Sequence, residues 1–165
     1  MCTRRAELLR QIWCEQNEAY DLMVEYDSLP HHYGDNILYQ AEAHIIDLIA
    51  LYPGITITDL SNIQKKTASA CSQIVRKLRN KNWVEQSRNC NNNRQYNLTL
   101  TAEGMQVYQN HQTFCDDCEQ RTYAMLDEFS DDELETALRV QRKLNEAYES
   151  DVKRSRKKFS NKQER

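Results

Sequence analysis

The chain has 165 residues, 22 Lys and Arg against 25 Asp and Glu, a formal net charge of -3, and only three Gly and two Pro. So few turn formers, with ample Glu, Gln, Asn, Lys and Leu, predict a mostly helical body of single-domain size, and the lack of an apolar run of about 18 residues excludes a membrane-spanning helix. The start MCTRRAELLRQIW lacks a signal peptide's apolar run, so a cytoplasmic protein is expected, in which the six cysteines read as core thiols, metal ligands or redox sensors.

Residues 6–27 place Leu8, Leu9, Ile12, Trp13, Ala19, Tyr20, Met23 and Tyr26 at helical three-and-four spacing, which predicts a long first helix. Pro30 ends it and HHYGDN at 31–36 reads as a polar loop. A second helix is expected over 37–51, with Leu38, Ala41, Ile45, Leu48 and Ile49 inward, stopped by Pro53 and Gly54. Ile55 to Ile57 is β-branched and reads as a short isolated strand. Thr58 is the expected N-cap of a third helix to about Gln64, with Asp59 suiting its first turn.

After a turn at 65–67, residues 68–80 predict a fourth helix burying Cys71, Ile74, Val75 and Leu78, with Asn82 tolerating the left-handed geometry that follows. Residues 84–87 and 96–99 read as two strands of a hairpin whose tip, 88–94, is basic and amide-rich. Thr101 caps a fifth helix through about Glu128, striped by Met105, Tyr108, His111, Cys115, Cys118, Thr122 and Met125. Ser130 with Glu133 is a capping box for a sixth helix bearing Leu134, Leu138, Leu144 and Tyr148. Beyond Val152 a frayed basic tail is expected.

Charge is unevenly spread. Residues 64–94 hold eight Lys and Arg against Glu85 alone, and 153–165 hold seven bases against one acid, so the remainder carries 7 bases against 23 acids. An acidic body with one basic face suits a polyanion bound through that face, and nucleic acid is the obvious one. No G-x-S-x-G, phosphate loop or H-E-x-x-H is present, so an enzyme is disfavoured. A helical protein-interaction module would explain the long helices but not the basic stretch.

Helix, short strand, two short helices about a tight turn and a hairpin describe a winged helix-turn-helix. With PGITITDLSN at 53–62, ASACSQIVRKLRNKNWVE at 68–85, a wing ending in Arg94 and LTAEG at 100–104, residues 5–150 resemble the MarR family of dimeric bacterial transcription regulators. The resemblance implies a mainly α winged helix-turn-helix fold with long terminal dimerisation helices: a DNA-binding domain at 37–100, a dimerisation region at 1–36 and 101–152, and a disordered basic tail at 153–165. It implies a homodimeric repressor on a palindromic duplex operator. Where the family wing usually reads Asp-Arg-Arg, this chain has Asn92, Asn93 and Arg94, and Lys65 and Lys66 stand in a turn that usually carries Gly and an apolar residue.

A helix enters the roughly 12 Å wide major groove with its first turns against base edges. That nominates Ser69, Ala70 and Gln73 for bases, Ser72, Arg76 and Lys77 for phosphates, and Arg94, supported by Arg88, for the minor groove. Lys65 and Lys66 add positive charge beside them. The resemblance to the zinc-responsive branch of the family implicates His32, His44, His111 and Cys115 as Zn(II) ligands, with Cys standing where that branch has a second histidine. Two alternatives stand beside zinc: oxidation at Cys14, Cys71, Cys90 or Cys118, and a small aromatic ligand among Trp13, Tyr20, Tyr26 and Tyr39. Cys115 and Cys118 form C-x-x-C, but flanked by acids mid-helix.

Overall fold

A computed structural model describes residues 3–89 and 95–163. Its elements are α1 (Arg4–Ser28), β1 (Pro30–Tyr33), β2 (Asn36–Tyr39), α2 (Gln40–Leu51), α3 (Ile57–Gln64), α4 (Ala68–Asn80), β3 (Val84–Arg88), β4 (Tyr96–Leu100), α5 (Ala102–Leu126) and α6 (Asp131–Gln163). The result is the mainly helical winged helix-turn-helix that the sequence predicts. None of the described helices is long and apolar enough to cross a membrane. The chain divides into two compact units, Met1–Asp116 and Asp117–Arg165. Tyr33, Val107 and His111, from outside 37–100, are buried with the first unit's core.

The core belongs to the first unit. Ile45, Ile46 and Ile49 of α2, Leu60 of α3, Cys71, Val75 and Leu78 of α4 and Leu98 of β4 are almost wholly buried. Of the expected inward set of the second helix, Ala41 and Leu48 are only half-buried, and Glu42 and Ala43 are buried instead. The helix starts at Gln40 rather than at 37, since Ile37 to Tyr39 belong to β2.

Residues 31–36 are not a polar loop. They fall within an antiparallel hairpin, β1 with β2, pairing Pro30 with Tyr39 through to Tyr33 with Asn36. Its two-residue turn has Gly34 at φ +61, the position where a hairpin loop of this length requires left-handed backbone. Alternation then sends Tyr33 and Leu38 into the core and leaves His32 outside.

Two helix ends differ from expectation. Thr56, not Thr58, caps α3: its hydroxyl accepts from the Asp59 N–H, and Asp59 reaches back to the Thr56 N–H at 3.0 Å. The reciprocal pair satisfies two otherwise unmatched donors, which Thr58 could not do with a non-acidic residue three positions on. Ile55 survives of the expected strand as an isolated bridge to Leu98. At the other end, α6 runs on to Gln163, so the tail expected to fray is helical from 153 to 163. Ion pairs of Lys153 with Glu149 and Arg154 with Asp151 support it, as does basic charge near a helix C-terminus.

The capping box of α6 is as expected, with Ser130 N–H and hydroxyl both donating to Glu133. Thr101 likewise caps α5 by accepting from the Gly104 N–H at 2.9 Å. The buried stripe of α5 is Gly104, Val107 and His111, shifted from the expected one, and Met105 is exposed. Gly104 explains the shift: a Cβ there would stand 1.9 Å from the Trp83 carbonyl oxygen, so α5 packs directly on that backbone.

Candidate nucleic-acid interface

The α3–α4 pair is set by local chemistry at every joint. Lys65 ends α3 in left-handed geometry at φ 53, with its N–H and that of Lys66 turned back on the Ser61 carbonyl. Thr67 then caps α4 by accepting from the Ala70 N–H at 3.2 Å. Hydrogen bonds from Thr56, first from its hydroxyl and then from its N–H, hold the Asp59 carboxyl below its ordinary range, so this cap stays charged well into acid.

Burial of Cys71, Val75 and Leu78 fixes the rotation of α4. The opposite side carries Ser69, Gln73 and Arg76 at i, i+4 and i+7, all exposed, with Ser72 and Lys77 flanking them. Ala70 lies toward the core side and is half-buried, the weakest of the nominated base contacts. Asn80, which the sequence reading passed over, is exposed and continues the same stripe at i+11. Counting from the buried Cys71–Val75–Leu78 set would have found it.

No acid stands in the first turn of α4, so no carboxylate opposes the positive end of its dipole. Lys65, Lys66, Arg76, Lys77, Arg79, Lys81 and Arg88 are all exposed. Among the described residues, two have partners for their charged ends. Lys77 Nζ lies 3.8 Å from Oε1 of the buried Glu42, and Lys81 Nζ sits 4.4 Å over the Trp83 ring.

The wing is the β3–β4 hairpin, in register from Val84 with Leu100 to Arg88 with Tyr96. Leu98 anchors it, donating to the Ile55 carbonyl at 2.9 Å while accepting from the Gly54 N–H at 2.8 Å. Arg88 closes the ladder, and the pairing continues with Asn89 N–H to the Gln95 carbonyl and Asn89 Nδ2 to Asn97 Oδ1. Arg94 and Cys90 lie outside the described residues.

A second polar cluster stands behind α2. His111 is 2% exposed, its Nδ1 lies 2.8 Å from Asp47 Oδ1 and its Nε2 lies 3.4 Å from Cys115 Sγ. Gln112 Nε2 also donates to Asp47 Oδ1 at 3.2 Å, and the Tyr33 ring meets His111 edge-on at 4.9 Å.

The four residues nominated for zinc are not brought together. His111 and Cys115 touch, but His32 points outward from β1 and His44 is exposed on α2, 3.0 Å from Gln40 Nε2. Among the described residues no three His, Cys, Asp or Glu are placed to hold one metal ion together: Asp47 and Cys115 meet opposite nitrogens of His111, and His32 and His44 are exposed. Strand alternation is the reason for His32: Tyr33 takes the inward place.

The cysteines nominated for oxidation differ among themselves. Cys14 is exposed on α1, Cys71 is fully buried under α4, and Cys118 is half-buried with the Arg121 guanidinium 3.1 Å from its sulfur. Trp13, Tyr20, Tyr26 and Tyr39 are all largely exposed. Sequence reasoning missed Asp47; an acid among apolar neighbours on α2 was the available signal.

Comparison with known proteins agrees with this geometry. A family described as winged helix-turn-helix DNA-binding matches residues 43–85, which span α2 to the start of the wing. No curated protein sequence matches the chain. Among solved structures, the chain is similar to ZitR of Lactococcus lactis, a zinc-responsive MarR family member, with a TM-score of 0.72 at 18% identity over 86% of this chain and 99% of that one. It is also similar to Streptococcus pneumoniae FabT in complex with DNA, with a TM-score of 0.64 at 20% identity over 87% of this chain and 98% of that one. The adhesin competence repressor AdcR of Streptococcus pyogenes gives 0.60 at 18% identity over 86% and 98%. At these identities the likeness establishes the fold.

Proposed function

We propose that this chain is a sequence-specific duplex-DNA-binding transcription regulator that works by binding and not by catalysis. The observation that carries the reading is the outward stripe of α4, with Ser69, Gln73 and Arg76 exposed opposite a fully buried Cys71–Val75–Leu78 side and no acid at the helix start. Such a helix offers short polar groups to base edges and cations to phosphates. Lys65, Lys66, Ser72, Lys77 and Arg88 extend the phosphate-facing surface, and Arg94 is assigned to the minor groove.

The working form is a homodimer on a palindromic operator. Support comes from α1, which buries none of its residues while Leu8, Leu9, Trp13, Leu22 and Met23 stand about half or more exposed, and from Leu138, Val140 and Val152 exposed on α6. A second copy would cover these stripes and space two α4 helices one groove apart. Repression follows if the operator overlaps a promoter.

The test is a gel shift on the DNA upstream of the chain's own gene, at several salt concentrations. Specific binding that weakens steeply with salt, and falls about tenfold in Gln73→Ala and in Arg76→Ala, supports the reading. Equal affinity for unrelated duplex would sink it. Zn(II) is the effector that the resemblance implies, and only the His111–Cys115 half of its donor set stands together. Gel shifts with Zn(II) and with chelator decide that point: an affinity indifferent to both removes zinc.

A further inference from the structure

Two lysines one turn apart on α4 are turned toward the junction of β2 and α2. Lys77 Nζ lies 3.8 Å from Glu42 Oε1, and Lys81 Nζ donates to the Ile37 carbonyl at 3.4 Å. The two ends of the first pair differ in exposure: the Lys77 side chain is 65% exposed and that of Glu42 is 9% exposed. The other oxygen of Glu42 accepts from the Tyr39 N–H at 3.1 Å, and α2 packs against α4. The carboxylate is therefore held in place, while the ammonium can swing on its flexible stem. Arg76, one residue before Lys77, is exposed and has no such acid against it among the described residues.

A buried carboxylate that loses its cation is left uncompensated, and that cost is set against any new contact the cation makes. A DNA phosphate is such a contact. We propose that Glu42 is a positioning residue that competes with DNA phosphate for Lys77, so that duplex binding draws the ammonium off the carboxylate and is weakened by the cost of parting them. The inference rests on the assignment of α4 to duplex DNA.

Glu42 acts through Lys77 and needs no contact with DNA of its own. Its effect has a sign that a merely structural role cannot imitate, because removing its charge tightens binding. Arg76 and Lys77 are single cations side by side on the same turn, yet they contribute unequally. Arg76 reaches phosphate without breaking a pair, and Lys77 does not.

The experiment is a double-mutant cycle on the full-length chain at fixed pH and salt. Fluorescence anisotropy reads the Kd on two duplexes of equal length, the DNA upstream of the chain's own gene and an unrelated sequence. Glu42→Gln keeps an oxygen for the Tyr39 N–H but removes the charge, and is expected to tighten binding about fivefold. The change should be the same on both duplexes, since phosphate contacts carry no sequence information. In a Lys77→Met background Glu42→Gln should have no effect. Lys77→Met alone should weaken binding about twofold, against about tenfold for Arg76→Ala, and this comparison serves if circular dichroism shows that Glu42→Gln fails to fold.

Tightening that persists in Lys77→Met marks direct repulsion between Glu42 and DNA and overturns the proposal. Unchanged or weaker binding in Glu42→Gln overturns it too, as does a tenfold loss in Lys77→Met. Preference for the upstream duplex with no coupling in the cycle sinks this role of Glu42 and leaves the DNA-binding reading standing. Coupling without preference supports the role and removes sequence specificity. A wild type that binds neither duplex overturns both.

Discussion

The two compact units solve the problem of apolar surface in opposite ways. Within Met1–Asp116, fourteen apolar residues from α2, α3, α4, both hairpins and the start of α5 form one buried core. Within Asp117–Arg165 none of the residues whose side chains are described reaches full burial, although Tyr123, Met125, Phe129, Leu138 and Tyr148 are all present. Tyr123, Leu126, Phe129, Leu134 and Leu138 even line an open groove of about 720 Å³. The first unit carries its own reason to fold. The second has helix capping and charge pairs along its length, and its apolar side chains stay exposed.

The contrast can be broken at its strong end first. Leu98 is fully buried where the wing, Ile55 and α2 meet, so Leu98→Ala is expected to cost about 3–4 kcal/mol in urea unfolding. A loss below 1 kcal/mol would show that the wing is not part of the core. Gly104→Ala should follow at about 2 kcal/mol, because the added methyl meets the Trp83 carbonyl and a backbone must move. Wild-type stability there would mean that α5 does not pack as closely as described.

At the weak end, Leu138→Glu should leave the core intact and act on self-association, weakening it by about 2 kcal/mol in sedimentation equilibrium. An unchanged association constant would take α6 out of the proposed dimer. On DNA, Arg76→Ala is expected to weaken operator binding about tenfold and to lower the salt slope by about one unit, with no change in unfolding midpoint, since its side chain is exposed.

The smallest expected effect is at the α3 cap. Thr56→Ala should cost about 1 kcal/mol. The Asp59 carboxyl titrates below its ordinary value because Thr56 donates to its charged form. The cap's contribution is therefore fully present above about pH 4, the unfolded value, and is lost as pH falls through the lower folded value. Thermal melts from pH 6 down to pH 2 should show the wild type losing its margin over Thr56→Ala in that window; a constant margin would break the assignment.

Legibility followed the range over which each signal acts. The bounds of α4, the left-handed Asn82, the Thr101 cap and the Ser130–Glu133 box were all readable, because a helix face or a cap is decided within a few residues. The β1–β2 hairpin was written in Tyr-Gly-Asp-Asn between two short alternating runs, and the adjacent histidines masked it as a polar loop. Thr56 and Thr58 both precede Asp59, and only the three-residue spacing to Asp59 picks out Thr56.

The site divided in the same manner. Ser69, Ser72, Gln73, Arg76 and Lys77 stand exposed as their spacing implied, while the four-residue donor set for zinc dispersed. His111 and Cys115 met because they are one turn apart on one helix. His32 and His44 depended on which way a strand and a second helix would face, which no local spacing encodes.

The sequence by itself determined the winged helix-turn-helix order, the outward stripe of α4 and the concentration of positive charge around it, since each follows from periodicity, caps and composition. Only the tertiary structure decided that Asp47, 64 positions before His111, would orient that imidazole toward Cys115, and that Glu42 would reach Lys77. Such pairs are fixed by how α2 packs against α5 and α4, where the burial of Ile45, Ile46 and Ile49 sets the rotation of α2 and carries its two acids with it.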